Sequence, residues 1–403
     1  MSTLRREQGG EGDGPVPGWV LRLALGAFWV GSVALITLTP GGAPRPDAEL
    51  IPSLCLFCGT KGLADAVLNT VLFLPLGLIM GVRRGVGAAI LAGFVVSAGI
   101  ETAQLTVVPG RNPAVGDLVW NSLGAGMGAL LTGALRRWLG GGEGPPLPAG
   151  AAAVGLGGVY LVLAGVLLVP VGTQARYFGQ WTPELGHLDR YEGTLLEAWL
   201  DGEAVPRGPY PRGESPRGEL EGDFTLEARV VKGPPPHGIA PVVSIYDGRR
   251  REILLLGAHG EDLVFRERTR AQAVGLDIHD LRVEDALAPY AVGDTLGLGA
   301  RRVGGVICLR VADQDVCGAG VTPGRTWGLL MTLESAPPWF RLLLDAAWMA
   351  TLFVLAGVVA GGARGVVLWA AVSAALVALA VAGTPLVAGP VAEWVGLAAG
   401  IAA

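Results

Sequence analysis

Three acids stand in stretches of sequence where apolar residues dominate, and each has an amide at helical spacing. Asp65 precedes Asn69 by four residues, Asp117 precedes Asn121 by four, and Glu101 precedes Gln104 by three. Those spacings put both members of each pair on one face of a helix. Between the second and third pairs lies Pro-Gly-Arg-Asn-Pro, which adds the cation Arg111. Carboxylates can serve as base or ligand, amides can orient a polar substrate, and an arginine fork matches a phosphate. Ionisable side chains in a membrane helix cost about 2.5–3.5 kcal/mol each at its centre, so acids in such stretches are functional suspects. Glu101, Asp65 and Asp117 are the candidate catalytic groups, and Arg111, Asn69, Gln104 and Asn121 the candidate substrate-binding groups. The bland alternative is that these groups satisfy one another and hold helices in register.

The elements that must position them follow from composition. The chain has 403 residues, 51% hydrophobic and only 16% charged, where a soluble chain would carry about a quarter charged. Residues 172–338 hold about two thirds of the charged side chains, so a water-adapted block is set inside an apolar chain. This excludes a single soluble globule, a disordered chain and a collagen-like repeat. The net charge of −5 argues against nucleic acid as a partner. A bilayer core of about 30 Å takes roughly 20 apolar helical residues. Stretches of that kind run over 19–38, 63–82, 86–107, 115–135, 150–171, 339–360 and 364–383. The segment 386–403 is apolar too, but Pro390 and Glu393 leave little room for a full crossing. The expectation is seven or eight transmembrane helices.

Arginines orient them. Arg5 and Arg6, Arg83 and Arg84, Arg136 and Arg137, and Arg364 all fall on one side if the spans alternate. The positive-inside rule makes that side the cytoplasm. The expected topology is a multi-pass protein of the cytoplasmic (inner) membrane with residues 1–18 a cytoplasmic tail. Residues 172–338 are then extracytoplasmic, and the polar pairs lie within about two turns of the outer surface. Cys55, Cys58, Cys308 and Cys317 all fall on the oxidising side, which suggests two disulfides. Cys308 to Cys317 reads as a hairpin whose ends meet. For Cys55-Leu-Phe-Cys58 a redox pair or half a metal site stays open beside a structural bridge. No metal site and no cofactor are evident; a divalent cation in the polar pocket is the one cofactor left open.

Residues 222–335 alternate in strand fashion. Expected strands are 224–231, 242–246, 252–256, 262–266, 295–298, 306–311 and 327–331, separated by Gly and Asp turns, which argues for an all-β sandwich. His187, His237, His259 and His279 show no ligand spacing. Asp247, Asp294, Asp313 and Asp315 sit in turn-like sequence, where a turn role outweighs calcium ligation. Trp181, Tyr191, Trp199, Tyr246 and Tyr290 could stack on sugars, with core packing the default. The block reads as a binding or shielding module rather than a catalyst.

Asp65-x-x-x-Asn69, Phe73-Leu-Pro-Leu-Gly77, Ser97-Ala-Gly-Ile-Glu101-Thr-Ala-Gln104, Arg111 and Asp117-x-x-x-Asn121-x-x-Gly124, in this order, resemble the VanZ-like family over about residues 20–140. Glu393-Trp-Val-Gly396 is similar to tail segments of related chains. The strand order and Pro241-Val-Val-Ser-Ile-Tyr-Asp-Gly248 resemble concanavalin A-like or laminin-G-like jelly rolls. The domains expected are a VanZ-like four-helix membrane domain at 19–140, a transmembrane helix at 150–171, the jelly-roll sandwich at 172–338 and C-terminal helices at 339–403. The first resemblance implies a link to low-level resistance to the glycopeptide antibiotic teicoplanin but supplies no reaction. The second implies glycan binding, with calcium in some members. The reading that follows is a cell-envelope membrane protein that binds or acts on a lipid-linked glycan or phospholipid headgroup, with cell-envelope polysaccharide as a further partner. Its rival is a non-enzymatic, membrane-anchored glycan-binding or interaction platform whose polar cluster is structural.

Overall fold

The computed structural model describes residues 18–39, 55–82, 84–108, 114–139, 147–173, 175–184, 188–211, 220–333, 336–358, 360 and 362–402. Arg111 and the N-terminal tail lie outside them. Two compact units divide the chain. One holds helices α1 (Gly18–Leu38), α2 (Gly62–Gly81) from Asp65 onward, α3 (Gly85–Thr106) and α4 (Val115–Leu139). The other holds residues 59–64, helix α5 (Leu147–Leu167), the strands, and helices α6 (Pro338–Val358), α7 (Ala363–Gly383) and α8 (Val391–Ala402).

Among the described residues five helices are long and apolar enough to cross a membrane: α2, α3, α5 from Gly150, α6 and α7. Among the described residues, Trp29–Leu38 and Val391–Ala402 are shorter apolar stretches. At about 1.5 Å per residue the twelve residues of α8 fall short of a bilayer core. Helix α4, which carries Asp117 and Asn121, is outside the set of five.

In the first unit glycine sets the packing. A Cβ on Gly77 would collide with the Ala125 carbonyl, one on Gly124 with the Thr70 carbonyl, and one on Gly128 with the Leu74 carbonyl. The spacings Gly77-x-x-x-Gly81 of α2 and Gly124-x-x-x-Gly128 of α4 therefore face each other with their backbones in contact, the close approach small residues permit between apolar helices. On α1, Trp29 packs edge-on to Phe73, ring centroids 5.7 Å apart, and its indole N–H donates to Leu72 O at 2.7 Å.

In the second unit two fully antiparallel six-stranded sheets share one apolar core. The first sheet runs β4 (Gly208–Pro209), β1 (Tyr177–Trp181), β6 (Ala240–Asp247), β7 (Glu252–His259), β8 (Asp262–Glu267) and β9 (Leu281–Val283). The second runs β12 (Gln314–Ala319), β11 (Val306–Val311), β10 (Thr295–Val303), β5 (Phe224–Val231), β2 (Thr194–Leu200) and β3 (Glu203–Ala204). Phe224, Leu226 and Leu298 from one sheet and Val243, Leu254 and Phe265 from the other belong to the same buried cluster, the arrangement of a β-sandwich.

The expected strands at 224–231 and 306–311 have those boundaries, and the hairpin across Asp247-Gly248 joins β6 to β7. Asp247 accepts from the amides of Arg249 and Arg251, both at 2.9 Å, and Asp294 from that of Ala291 at 2.8 Å, the role of turn acids. Burial would raise the Asp247 carboxyl, but its bonds to Arg251 and Arg249 hold it below the usual range. The strand expected at 327–331 is instead part of a 3₁₀ helix, Gly324–Leu329. Arg325 N donates to Thr322 O at 3.0 Å and Leu330 N to Trp327 O at 2.9 Å, so local backbone i→i+3 bonds take the place of a ladder. The apolar run is buried there because it packs on α6, not because it joins a sheet.

Helices α6 and α8 repeat the glycine device. A Cβ on Gly396 would collide with Ala346 O, and one on Gly400 with Ala350 O. Cys55–Cys58 and Cys308–Cys317 are both disulfide-bonded, and the second pair joins directly opposed residues of β11 and β12.

Candidate functional site

Close packing of α2, α3 and α4 decides where their polar side chains lie. Asn69 Nδ2 on α2 donates to Asp117 Oδ1 on α4 at 2.7 Å. One turn further along α4, Asn121 Nδ2 donates to Ser97 Oγ on α3 at 2.9 Å, and both residues are buried. Glu101, one turn beyond Ser97, is buried and accepts from the backbone N–H of Ala114 at 2.9 Å. Gln104 Nε2 donates to Thr37 O of α1 at 2.9 Å. Asp117 lies within electrostatic reach of Glu101. The structure thus brings Asn69, Asp117, Asn121 and Glu101 together across three helices. Asp65 stands on the exposed side of the first turn of α2, and Arg111 is outside the described residues. Gln104 is drawn toward α1, away from the Asn69–Asp117 pair.

Most of this cluster is satisfied internally, with one exception. The Asn121 amide donates to Ser97, but its Oδ1 is buried without a hydrogen-bond partner. Such an acceptor is costly by about 1–3 kcal/mol unless something donates to it. The disulfide Cys55–Cys58 and the bond from Trp120 Nε1 to Leu56 O, 2.8 Å, fix the segment before α2 against the first turns of α4.

Residues 28–136 match the family model VanZ/LLP1. The matched segment holds every polar pair just described, so the chain carries a VanZ-like domain followed by a separate region of two antiparallel sheets. No curated protein and no solved structure matches the chain.

Beyond the VanZ-like domain, a second polar cluster sits where α6 and α8 meet the 3₁₀ segment. Asp345 on α6 is fully buried and accepts from Trp327 Nε1 at 2.7 Å and Arg325 Nη2 at 3.2 Å. Glu393 on α8 is buried and accepts from Thr322 Oγ1 and from Gly324 N, the latter at 2.7 Å. Thr326 Oγ1 accepts from Tyr160 OH at 3.2 Å and Trp348 Nε1 at 3.0 Å. The rule that singles out Asp65, Glu101 and Asp117 applies equally to Asp345, the one acid of α6, a helix that also carries Arg341 in its first turn. Glu393 was noticed only as a terminal acid.

In the sandwich, buried charges come as pairs. Arg302 binds Glu267, and burial outweighs that partner, pushing the Glu267 carboxyl up to about 7. Burial would raise Asp280 too, but Arg266 and Arg282 together hold it below the ordinary carboxylate range. Burial, reinforced by Arg325, pushes the His279 imidazole down to about 4, so it is neutral near pH 7. Tyr191 and Tyr246 are buried in the core rather than presented as sugar platforms, and Trp181 is partly buried with Arg207 stacked on its ring at 4.1 Å. Among the described residues no group of three or more His, Cys, Asp and Glu side chains could hold a metal ion.

Proposed function

We propose that this chain is a multi-pass protein of the cell envelope whose VanZ-like domain binds the headgroup of a lipid-linked glycan or phospholipid at the outer face of the cytoplasmic membrane. The arginine distribution supports that orientation; seven crossings follow if α1 and α4 also insert, and eight if α8 does too. Under this reading Glu101 is base or ligand and Asp65 and Asp117 are its partners. Arg111 meets phosphate, and Asn69, Gln104 and Asn121 orient the headgroup. The sandwich, as a jelly roll of lectin type, would hold envelope glycan nearby, and loss of such lipids to a glycopeptide would tie the protein to teicoplanin-type resistance. The observation that carries the reading is the gathering of Asn69, Asp117, Asn121 and Glu101 from three helices, where one acceptor, the Oδ1 of Asn121, is left without a donor.

A second reading has its own support. The amides of Asn69, Asn121 and Gln104 all donate to groups of the same chain, which suits an interaction platform whose cluster is structural glue. Glu101→Gln and Asp117→Asn in detergent-purified protein separate the two. Loss of binding to lipid-linked glycan or phospholipid with membrane yield and melting unchanged supports the headgroup site. Loss of folding in both variants supports the platform and sinks the first reading.

A further inference from the structure

A groove of about 640 Å³ is lined by β1 of the first sheet and β2 of the second. Its walls are the end of β1 with the residues that follow it, the start of β2, and part of the connection that carries the chain from β3 in one sheet to β4 in the other. Trp181, Thr182, Thr194 and Arg207 face each other across it, and among the described residues Glu184 is its one acid. The groove is open rather than enclosed, so a chain longer than the groove can lie in it.

Arg207 carries the chemistry of the groove. Its guanidinium carbon lies 4.1 Å from the centroid of the Trp181 ring, within cation–π range. The indole is itself fixed by a bond from its Nε1 to Val205 O at 3.0 Å. Arg207 is exposed, and among the described residues no carboxylate neutralises it. Glu184 is taken instead by Arg190, at 3.1 Å. A guanidinium held against an aromatic face keeps its fork of N–H donors for a carboxylate or phosphate, and the indole has removed part of its freedom to move beforehand. The backbone beside it is under strain: Thr182 stands at φ 39°, which β-branched residues rarely adopt, while its N–H donates to Val242 O at 2.8 Å. Such strain gathers at binding sites.

The other groups of the wall suit a sugar. The half-buried indole of Trp181 offers apolar surface to the C–H side of a pyranose. The hydroxyls of Thr182 and Thr194 donate and accept, as sugar hydroxyls do. We propose that this groove binds an acidic polysaccharide, with Arg207 on the carboxylate or phosphate substituent and Trp181 supplying the apolar surface beside it. The proposal rests on the reading of the sandwich as a holder of envelope glycan and names the class of glycan; it does not depend on the role given to Glu101 in the VanZ-like domain.

Full-length protein in detergent should bind oligogalacturonate saturably, and its methyl ester, which keeps the sugar and loses the charge, about tenfold or more weakly, the worth of a hydrogen bond to a charged group. A phosphorylated oligomannose tested beside it shows whether the anion is phosphate or carboxylate, and binding of either above the neutral ester supports the proposal. Arg207→Gln should weaken the acidic oligomer about tenfold and leave the ester unchanged, while Arg207→Lys, which keeps the charge without the fork, loses several-fold. Arg249→Gln makes the same charge change in the turn between β6 and β7 and should alter neither. Melting of each variant checks that it is folded. Unchanged affinity in folded Arg207→Gln overturns the proposal, and oligoglutamate of equal charge binding as tightly overturns the assignment of a sugar. Ester and acid binding alike overturns the acidic class while leaving the sandwich a glycan holder; no binding of any of the sugars sinks both readings.

Discussion

Replacing His279 by glutamine should change how the stability of the protein depends on pH, by an amount that follows from its surroundings. The imidazole is buried within electrostatic reach of Arg325, Arg282 and Arg266, with Asp280 as the opposing charge, and burial first and Arg325 second bring it down from 6.5 to about 4. Between those values the unfolded chain takes up a proton that the folded chain refuses. Stability is therefore fully present above about pH 6.5 and is lost as pH falls toward 4. Linkage gives a loss of about 2 kcal/mol by pH 5 and about 3 kcal/mol by pH 4 from this one side chain. Glu267 acts in the opposite sense, because its carboxyl keeps its proton up to about 7 and so weakens the fold as pH rises from 4.5 to 7. Raw melting curves mix the two, and only the difference between the wild type and His279→Gln isolates the histidine. Thermal melting of the full chain in detergent, from pH 7.5 to pH 4.5, should show the two curves converging, with the wild type losing a few degrees more. Parallel curves over that range would refute the reasoning, since a histidine that charges freely in the fold cannot be walled in by three arginines.

Gly124→Leu should prevent α4 from docking on α2, because its side chain would occupy the place of the Thr70 carbonyl, whereas Gly133→Leu on the same helix meets nothing within 4 Å; membrane yield of the two variants checks this. Asp345→Leu leaves Trp327 Nε1 and the Arg325 guanidinium without their acceptor and should destabilise by about 3–5 kcal/mol, with Asp345→Asn milder because it can still accept from the indole. Replacing Cys308 and Cys317 together by serine removes a short loop constraint of about 2–3 kcal/mol, to be read as the melting difference between the variant and the wild type under oxidising conditions.

What was legible in the sequence was whatever a repeating local pattern carried. Strand β5 alternates Phe224, Leu226, Ala228 and Val230 into the core, so its period of two announced it. The spacings Gly77-x-x-x-Gly81, Gly124-x-x-x-Gly128 and Gly396-x-x-x-Gly400 are compatible with tight helix contacts but do not say which helices meet; the α2–α4 and α6–α8 pairings are properties of the assembled fold. Strands β1 and β2 lie upstream of the first expected strand and were not foreseen. The register of β1 comes from its neighbour, with Tyr177 opposite Asp247 and Trp181 opposite Val243. The run Trp327–Met331 misled because an apolar stretch buried on a helix looks the same as one buried in a sheet, and the tight turns that decide the matter start at Thr322 and Pro323. For the candidate site, helical spacing identified Asp117, Asn121, Asn69 and Glu101. The spacing could not show that Gln104 turns to Thr37, nor that Ala114 caps the Glu101 carboxylate.

Both units show the same physical sequence of cause and effect. Glycine ladders bring two helices into backbone contact, which creates dry space beside the polar residues on the same faces. Any acid there must be given donors, because an unpaired charge in such a place would cost several kcal/mol. In the VanZ-like domain the donors are Asn69 for Asp117 and the Ala114 amide for Glu101. In the second unit they are Trp327 and Arg325 for Asp345, and Thr322 and Gly324 for Glu393. Those four donors belong to the segment by which the chain leaves the sandwich, so the acids of α6 and α8 stitch the end of the sandwich to the helices. In the VanZ-like domain this packing leaves one buried acceptor without a donor, the Oδ1 of Asn121.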